Sequence, residues 1–129
     1  MTQTEAQILI LNDVISHYNI NNRSVSENNS RNCLYNGPDG KHCAAARWMI
    51  DPSQAREYGS IIEEENFKLL KPEAKLAGER FMKAIQQLHD EVECWDEKGL
   101  TFIGITEVIY YCNYFGIPED KINLLKELK

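Results

Sequence analysis

Three common catalytic motifs are missing from this sequence of 129 residues. It contains no glycine-rich phosphate-binding loop, no His-Glu-x-x-His metal motif and no Gly-x-Ser-x-Gly nucleophile elbow. These absences exclude the enzyme classes that depend on those motifs. Internal repeats, linkers and low-complexity tracts are missing as well, so the chain is expected to form one domain, residues 1–129.

Positive charge is also in short supply. There are 14 Lys and Arg residues against 20 Asp and Glu residues, which gives a net charge of -6. This balance argues against general binding to nucleic-acid backbones and to anionic membranes. No apolar run approaches the length of a membrane span, and no basic stretch precedes the short run Ile8–Leu11, so a signal peptide is not expected. The four cysteines are therefore expected as reduced thiols in a cytoplasm.

Helical periodicity is the strongest pattern that the sequence does contain. A first helix is predicted over Glu5–Tyr18, where Thr4 and Gln7 have the spacing of a capping box. Asp51 followed by Pro52 predicts the start of a short helix. A long helix is predicted from a stripe of apolar residues at alternating steps of four and three, formed by Phe81, Ile85, Leu88, Val92 and Trp95.

Two further helices are predicted near the end of the chain. The first covers Thr106–Phe115, and Gly116 is expected to be its C-cap. The second begins at Pro118 and is expected to bury three apolar residues, Ile122, Leu125 and Leu128.

A tight turn is predicted at residues 37–40, Gly-Pro-Asp-Gly, because Pro38 presets φ for the first corner and Gly40 accepts a left-handed exit. The flanking residues are expected to pair as a β-hairpin over residues 32–47, which would bring Cys33 close to Cys43. The sequence thus predicts an α+β fold, a mainly helical single domain with one small antiparallel β-hairpin or sheet.

Two blocks of the sequence resemble a family of small, functionally uncharacterised proteins encoded by phages and prophages. The first block is C-x-Y-x-G-P-D-G-x-x-C-A from Cys33 to Ala44, although Ala46 stands where the family pattern has Gly. The second is an L-Q-x-x-H-D helix with a nearby Trp, which Ile85–Asp90 and Trp95 resemble, although Ile85 stands where the family pattern has Leu. The resemblance implies a phage-type accessory protein in the cytoplasm of the host cell, and it supplies no established chemistry.

The two cysteines of the first block admit several interpretations. Cys33 and Cys43 could form a metal pair, a redox pair or a nucleophile site, or they could pack as small apolar side chains. Nine residues separate them, unlike the Cys-x2–4-Cys of zinc sites, so no metal or cofactor is predicted. A Cys43–His89 pair would supply a thiol nucleophile and its base, the alternative of a cysteine-dependent hydrolase or transferase.

The residue after His89 weakens that alternative on sequence grounds. Asp90 is adjacent, so on a helix it is expected to point about 100° away and to orient His89 poorly. In the structural alternative, His89 hydrogen-bonds loop backbone and Asp90 pairs locally.

Residues 22–50 form a basic segment in an acidic chain. This segment contains four Lys and Arg residues and two acidic residues, which gives it a net charge of +2, while the rest of the chain carries a net charge of -8. Such a segment, with aromatic residues nearby, suits a small anionic ligand such as a nucleotide, although it could be ordinary variation of surface charge. The candidate ligand-binding residues are Tyr35, Lys41, His42, Arg47, Arg31 and Arg23.

The sequence therefore favours a protein that binds rather than catalyses, with a host protein or a small anionic ligand as its partner. A counter-defence role is the most specific form of this hypothesis. A structural or oligomer-forming module is the third alternative. The sequence offers no exposed heptad seam for it, because the apolar stripe from Phe81 to Trp95 is needed for the core.

Overall fold

The computed structural model describes residues 1–23, 36, 41–55, 61 and 64–128. Helices predominate in this part of the chain, and the predicted mainly helical α+β class is confirmed. The α-helices are α1 (Gln3–His17), α2 (Ala44–Arg47), α3 (Glu64–Phe67), α4 (Pro72–Ala77), α5 (Glu79–Asp90), α6 (Phe102–Phe115) and α7 (Asn123–Glu127). Short 3-10 helices lie at Pro52–Gln54, Val92–Cys94 and Glu119–Lys121.

The small antiparallel sheet lies between α5 and α6. Strand β1 (Trp95–Asp96) pairs with β2 (Gly99–Leu100), and Trp95 stands opposite Leu100. The indole Nε1 of Trp95 donates to the carbonyl of Leu88 at 2.8 Å. This bond fastens the sheet to the C-terminal end of α5, so Trp95 is buried as expected but belongs to a strand and not to the predicted long helix.

Helix α1 begins two residues earlier than predicted. Thr2 is its N-cap, and the capping box joins Thr2 to Glu5 through two hydrogen bonds of 3.1 Å. The prediction of Thr4 and Gln7 as the box is wrong, because Gln7 is buried and donates to the carbonyl of Ala77 at the end of α4. A Thr and a Glu three residues apart satisfy two otherwise unpaired N–H groups at the helix start.

The segment predicted as the second strand of the hairpin is mostly helical. Asn36 and His42 form an isolated antiparallel bridge, but Ala44–Arg47 is helix α2, so the strand prediction over 43–47 is wrong. Alanine is the best helix former, and three consecutive alanines outweigh the alternation expected of a strand. Their small side chains are fully buried and let α2 pack closely against α5.

The predicted long helix ends at Asp90. Phe81, Ile85 and Leu88 are buried as expected, whereas Val92 is exposed in the following 3-10 turn, so its assignment to the buried stripe is wrong. After Asp90 the chain forms the 3-10 turn Val92–Cys94 and then strand β1, so α-helical periodicity no longer determines which side chains face inward.

Helix α6 begins four residues earlier than predicted. The hydroxyl of Thr101 accepts a hydrogen bond from the N–H of Gly104 at 3.2 Å and caps the helix. Gly104 lies so close to Cys94 that an added Cβ would stand 2.5 Å from the carbonyl oxygen of that residue. Gly116 ends the helix in the left-handed region with φ 71°, as predicted.

The C-terminal helix is divided into a 3-10 turn and α7. Ile122 and Leu125 are buried as predicted, but Leu128 is exposed, and its burial was wrongly predicted. No helix in the described part of the chain is long and apolar enough to cross a membrane.

Candidate functional site

Of the six candidate ligand-binding residues, Tyr35 and Arg31 lie outside the described residues, as does Cys33. Arg47 belongs to α2 and forms a two-pronged ion pair with Asp13 of α1, with distances of 2.9 Å from Nε to Oδ2 and 3.0 Å from Nη2 to Oδ1. Trp48 adds a third donor to the same carboxylate at 3.0 Å. The charge of Arg47 is therefore matched by a carboxylate within the chain, and its side chain joins two helices.

Arg23 is buried at the C-terminal end of α5. Its Nη1 donates to the carbonyl of His89, where a cation also suits the negative end of the helix dipole. Its Nε is buried and has no hydrogen-bond partner among the described residues. Arg23 thus connects the segment that follows α1 to the C-terminal end of α5.

A polar network links α2 to the end of α5. The side chain of Gln86 accepts from the N–H of Ala45 at 3.1 Å and donates to Asp90 at 2.9 Å. The same oxygen of Asp90 lies 3.1 Å from Nδ1 of His89. The prediction that Asp90 would orient His89 poorly is wrong, because the Asp90 carboxylate lies within hydrogen-bond distance of the buried ring.

Tyr18 connects this network to the basic segment. Its hydroxyl donates to the carbonyl of His42 at 2.7 Å, and its ring meets the ring of His89 edge to face at 4.8 Å. Tyr18 therefore contacts the ring of His89 and the backbone of His42, and Arg23 donates to the carbonyl of His89, while Arg47 pairs with Asp13.

The Cys43 thiol is unsuited to nucleophilic chemistry in this arrangement. Burial is the largest influence and raises its pKa to about 12, despite hydrogen bonds from the backbone of Ala46 and Ala45. The thiol is therefore protonated at neutral pH, whereas the thiolate is the reactive form. No hydrogen bond joins it to His89 within the described residues.

His89 itself is neutral. Burial lowers the pKa of its imidazole, and the hydrogen bond to Asp90 only partly offsets that effect. Because the Asp90 carboxylate accepts, Nδ1 carries the proton, and the buried Nε2 is an acceptor with no partner among the described residues. The described cysteines, Cys43, Cys94 and Cys112, are all free thiols, and no group of three or more potential metal ligands occurs in the described part of the chain.

Helix α6 presents an uncharged apolar face to solvent that the sequence reasoning missed. We call this the α6 face, and it consists of Phe102, Ile103, Thr106, Tyr110, Asn113 and Tyr114. The exposed fractions of its four large apolar side chains are 83% for Phe102, 51% for Ile103, 61% for Tyr110 and 59% for Tyr114. The sequence does contain an indication of this face, because Glu107 is the only charged residue in this 14-residue helix. The helix therefore has no charged face to turn toward solvent, and apolar side chains are exposed in its place.

The C-terminal half of the α6 face is an aromatic cluster continuous with the core. Tyr110 stacks on Tyr114 at 6.3 Å, Tyr114 meets Phe115 edge to face at 4.9 Å, and Phe115 meets Phe81 at 5.2 Å. A cleft of about 420 Å³ opens beside Tyr114. It is lined by Gln3, Gln7, Ala77, Gly78, Glu79, Arg80, Phe81, Tyr114 and Phe115.

One edge of the α6 face is acidic. Glu107 lies on α6 beside Ile103 and Tyr110 by helical position, and it interacts electrostatically with Glu91. Burial raises the pKa of Glu91, with Glu107 as the next largest influence and Glu93 contributing further. These three glutamates, Glu91, Glu93 and Glu107, are the acidic edge, and they place negative charge next to the apolar side chains.

Protein-family models, curated proteins and solved structures give no match to this chain. The resemblance of its two blocks to phage-encoded proteins therefore stays a hypothesis.

Proposed function

We propose that this chain is an accessory protein of the phage-encoded type that acts in the host cytoplasm by binding a host protein through the α6 face. The observation that carries the proposal is the exposure of four large apolar side chains along one helix. Apolar residues scattered singly over a surface need no explanation, but a contiguous patch marks an interaction site. A counter-defence role belongs to this proposal as its most specific form.

The composition of the α6 face supports a protein as the partner. Centres of protein interfaces are depleted in charge and enriched in tyrosine and phenylalanine. The α6 face has no charged side chain, and its stacked pair Tyr110 and Tyr114 offers large, rigid contact area. The cleft next to Tyr114 could receive one side chain of the partner.

The test is affinity capture from host lysate with the full chain as bait, followed by reconstitution with the purified captured protein. We expect the double variant Phe102→Ser/Tyr110→Ser to bind that protein at least about tenfold more weakly than the unaltered chain. Ile50→Ser is the matched control, since Ile50 is 71% exposed and lies outside α6. Equal affinity of the double variant, with its helical circular dichroism unchanged, would contradict the proposal.

A small anionic ligand is the second candidate, and one observation favours it. The buried Nε of Arg23 has no partner among the described residues, and it lies in the basic segment. The ion pair of Arg47 with Asp13 counts against it, because that charge is already matched. A thermal-shift screen with nucleotides tests it: a binder should raise the melting temperature of the unaltered chain and leave that of Arg23→Gln unchanged.

A further inference from the structure

We infer that the α6 face binds an amphipathic helix of the partner that carries Lys or Arg along one side, placed against the acidic edge. This inference rests on the proposed function and adds the chemistry of the partner segment. It follows from the shape of the α6 face and from the charges that border it.

The shape of the α6 face suits a helix. Its residues recur at steps of four from Phe102 through Thr106 and Tyr110 to Tyr114, which forms a ridge inclined by about 26° to the axis of α6. At 1.5 Å per residue, the ridge spans about 18 Å along the axis. A single helix of about three to four turns matches that length and can present residues at steps of three and four to it.

The charges bordering the α6 face select a basic partner. Helix α6 contains no Lys or Arg, and its one charged residue, Glu107, is reinforced by Glu91 from the neighbouring segment. At the far end, beside the cleft, Glu79 and Arg80 carry opposite charges. The negative charge of the acidic edge therefore has no cation on α6 to balance it, and a cation on the partner would meet it there.

The same charges argue against a second copy of this chain as the occupant. In a two-fold dimer each surface meets itself. Glu107 lies close to the middle of α6, so antiparallel packing of two α6 helices would bring the two Glu107 side chains near each other. Each chain also carries a net charge of -6, which adds repulsion between copies.

The experiment uses the full chain and three synthetic helical peptides of about 18 residues. The first has a Leu/Trp face flanked by Lys, the second has the same face flanked by Glu, and the third has the Lys composition with its apolar residues scrambled. Binding is measured by fluorescence anisotropy at low and high salt. We expect the patterned Lys peptide to bind at least about tenfold more tightly than either other peptide, and the gap to the Glu peptide to narrow at high salt.

Two variants separate the inference from the proposed function. In Glu91→Gln/Glu107→Gln the preference for Lys over Glu should shrink while patterned peptides still bind, and in Phe102→Ser/Tyr110→Ser all binding should be lost. Tighter or equal binding of the Glu peptide or of the scrambled peptide overturns the inference but leaves the α6 face as a docking site. If the patterned peptides bind the Phe102→Ser/Tyr110→Ser variant as tightly as the unaltered chain, the proposed function is overturned too. If light scattering shows that the unaltered chain is a dimer and that the Phe102→Ser/Tyr110→Ser variant is a monomer, the occupant of the α6 face is a second copy of the chain. That result overturns the inference.

Discussion

Acid should destabilise this protein through His89 before its carboxylates are protonated. The ring is fully buried and its pKa is lowered from 6.5, with burial as the main cause. Below pH 6.5 the unfolded chain gains a proton on this histidine and the folded chain does not. The stabilisation is therefore complete above pH 6.5 and is lost as pH falls towards the lowered value.

The size of this effect follows from one proton. Between the two pKa values the free energy of unfolding falls by about 1.4 kcal/mol per pH unit for each proton that only the unfolded state binds. From pH 7.5 to pH 5.5, His89 alone should remove at most about 1.4 kcal/mol, the amount reached when the folded chain takes up no proton over that range. With a urea dependence of about 2 kcal/mol per molar, the unfolding midpoint should drop by up to about 0.7 M urea.

The assay is urea unfolding between pH 7.5 and pH 5.5, compared with His89→Asn. Asparagine keeps an N–H donor near the position of Nδ1, for Asp90, but does not titrate. Burial also lowers the pKa of His17 and raises that of Glu91, but both residues remain in the variant and cancel in the comparison. Equal pH dependence of the two proteins, or an imidazole of His89 that titrates near 6.5 by NMR, would refute the reasoning.

Three other outcomes are expected. Gly104→Ala should lower the free energy of unfolding by about 1–3 kcal/mol in urea titrations, because its Cβ would meet the backbone of Cys94, and an unchanged midpoint would contradict this close packing. Arg47→Ala should lower it by about 1 kcal/mol, since its pair with Asp13 is partly exposed to solvent; a change near zero would mean that the pair contributes nothing. Iodoacetamide should label Cys43 of the folded protein slowly at neutral pH, as mass spectrometry would show, and rapid labelling would revive the thiol-enzyme hypothesis.

The helical part of the fold could be predicted from local patterns. The stripe of Phe81, Ile85 and Leu88 and the C-cap at Gly116 depend on residues within a few positions of each other, and both are confirmed. The break between α4 and α5 at Gly78 was harder to predict. Gly78 has a φ of 101°, which separates the two helices, and the spacing of the apolar residues does not indicate a break there.

The candidate site depended on contacts that local patterns do not contain. The partner of Arg47 is Asp13, which lies 34 positions away, so its ion pair could not be read from the basic segment. The exposure of Phe102 and Tyr110 was equally hidden, because α6 is apolar on all sides and only packing decides which side meets the core. In both cases the local sequence pattern is compatible with more than one arrangement, and only contacts between residues distant in the sequence determine which one forms.

The side chain of Gln86 has a consequence for how this sequence can change over evolution. It joins Ala45, which directly follows the first sequence block and lies 41 positions away, to Asp90 in the second block. A substitution at Gln86 that removes its side-chain oxygen would leave the buried N–H of Ala45 unpaired, and no residue other than Pro at position 45 lacks that donor. Among related sequences, a chain that packs α2 against α5 in this way should therefore keep Gln86 or another hydrogen-bond acceptor at that position.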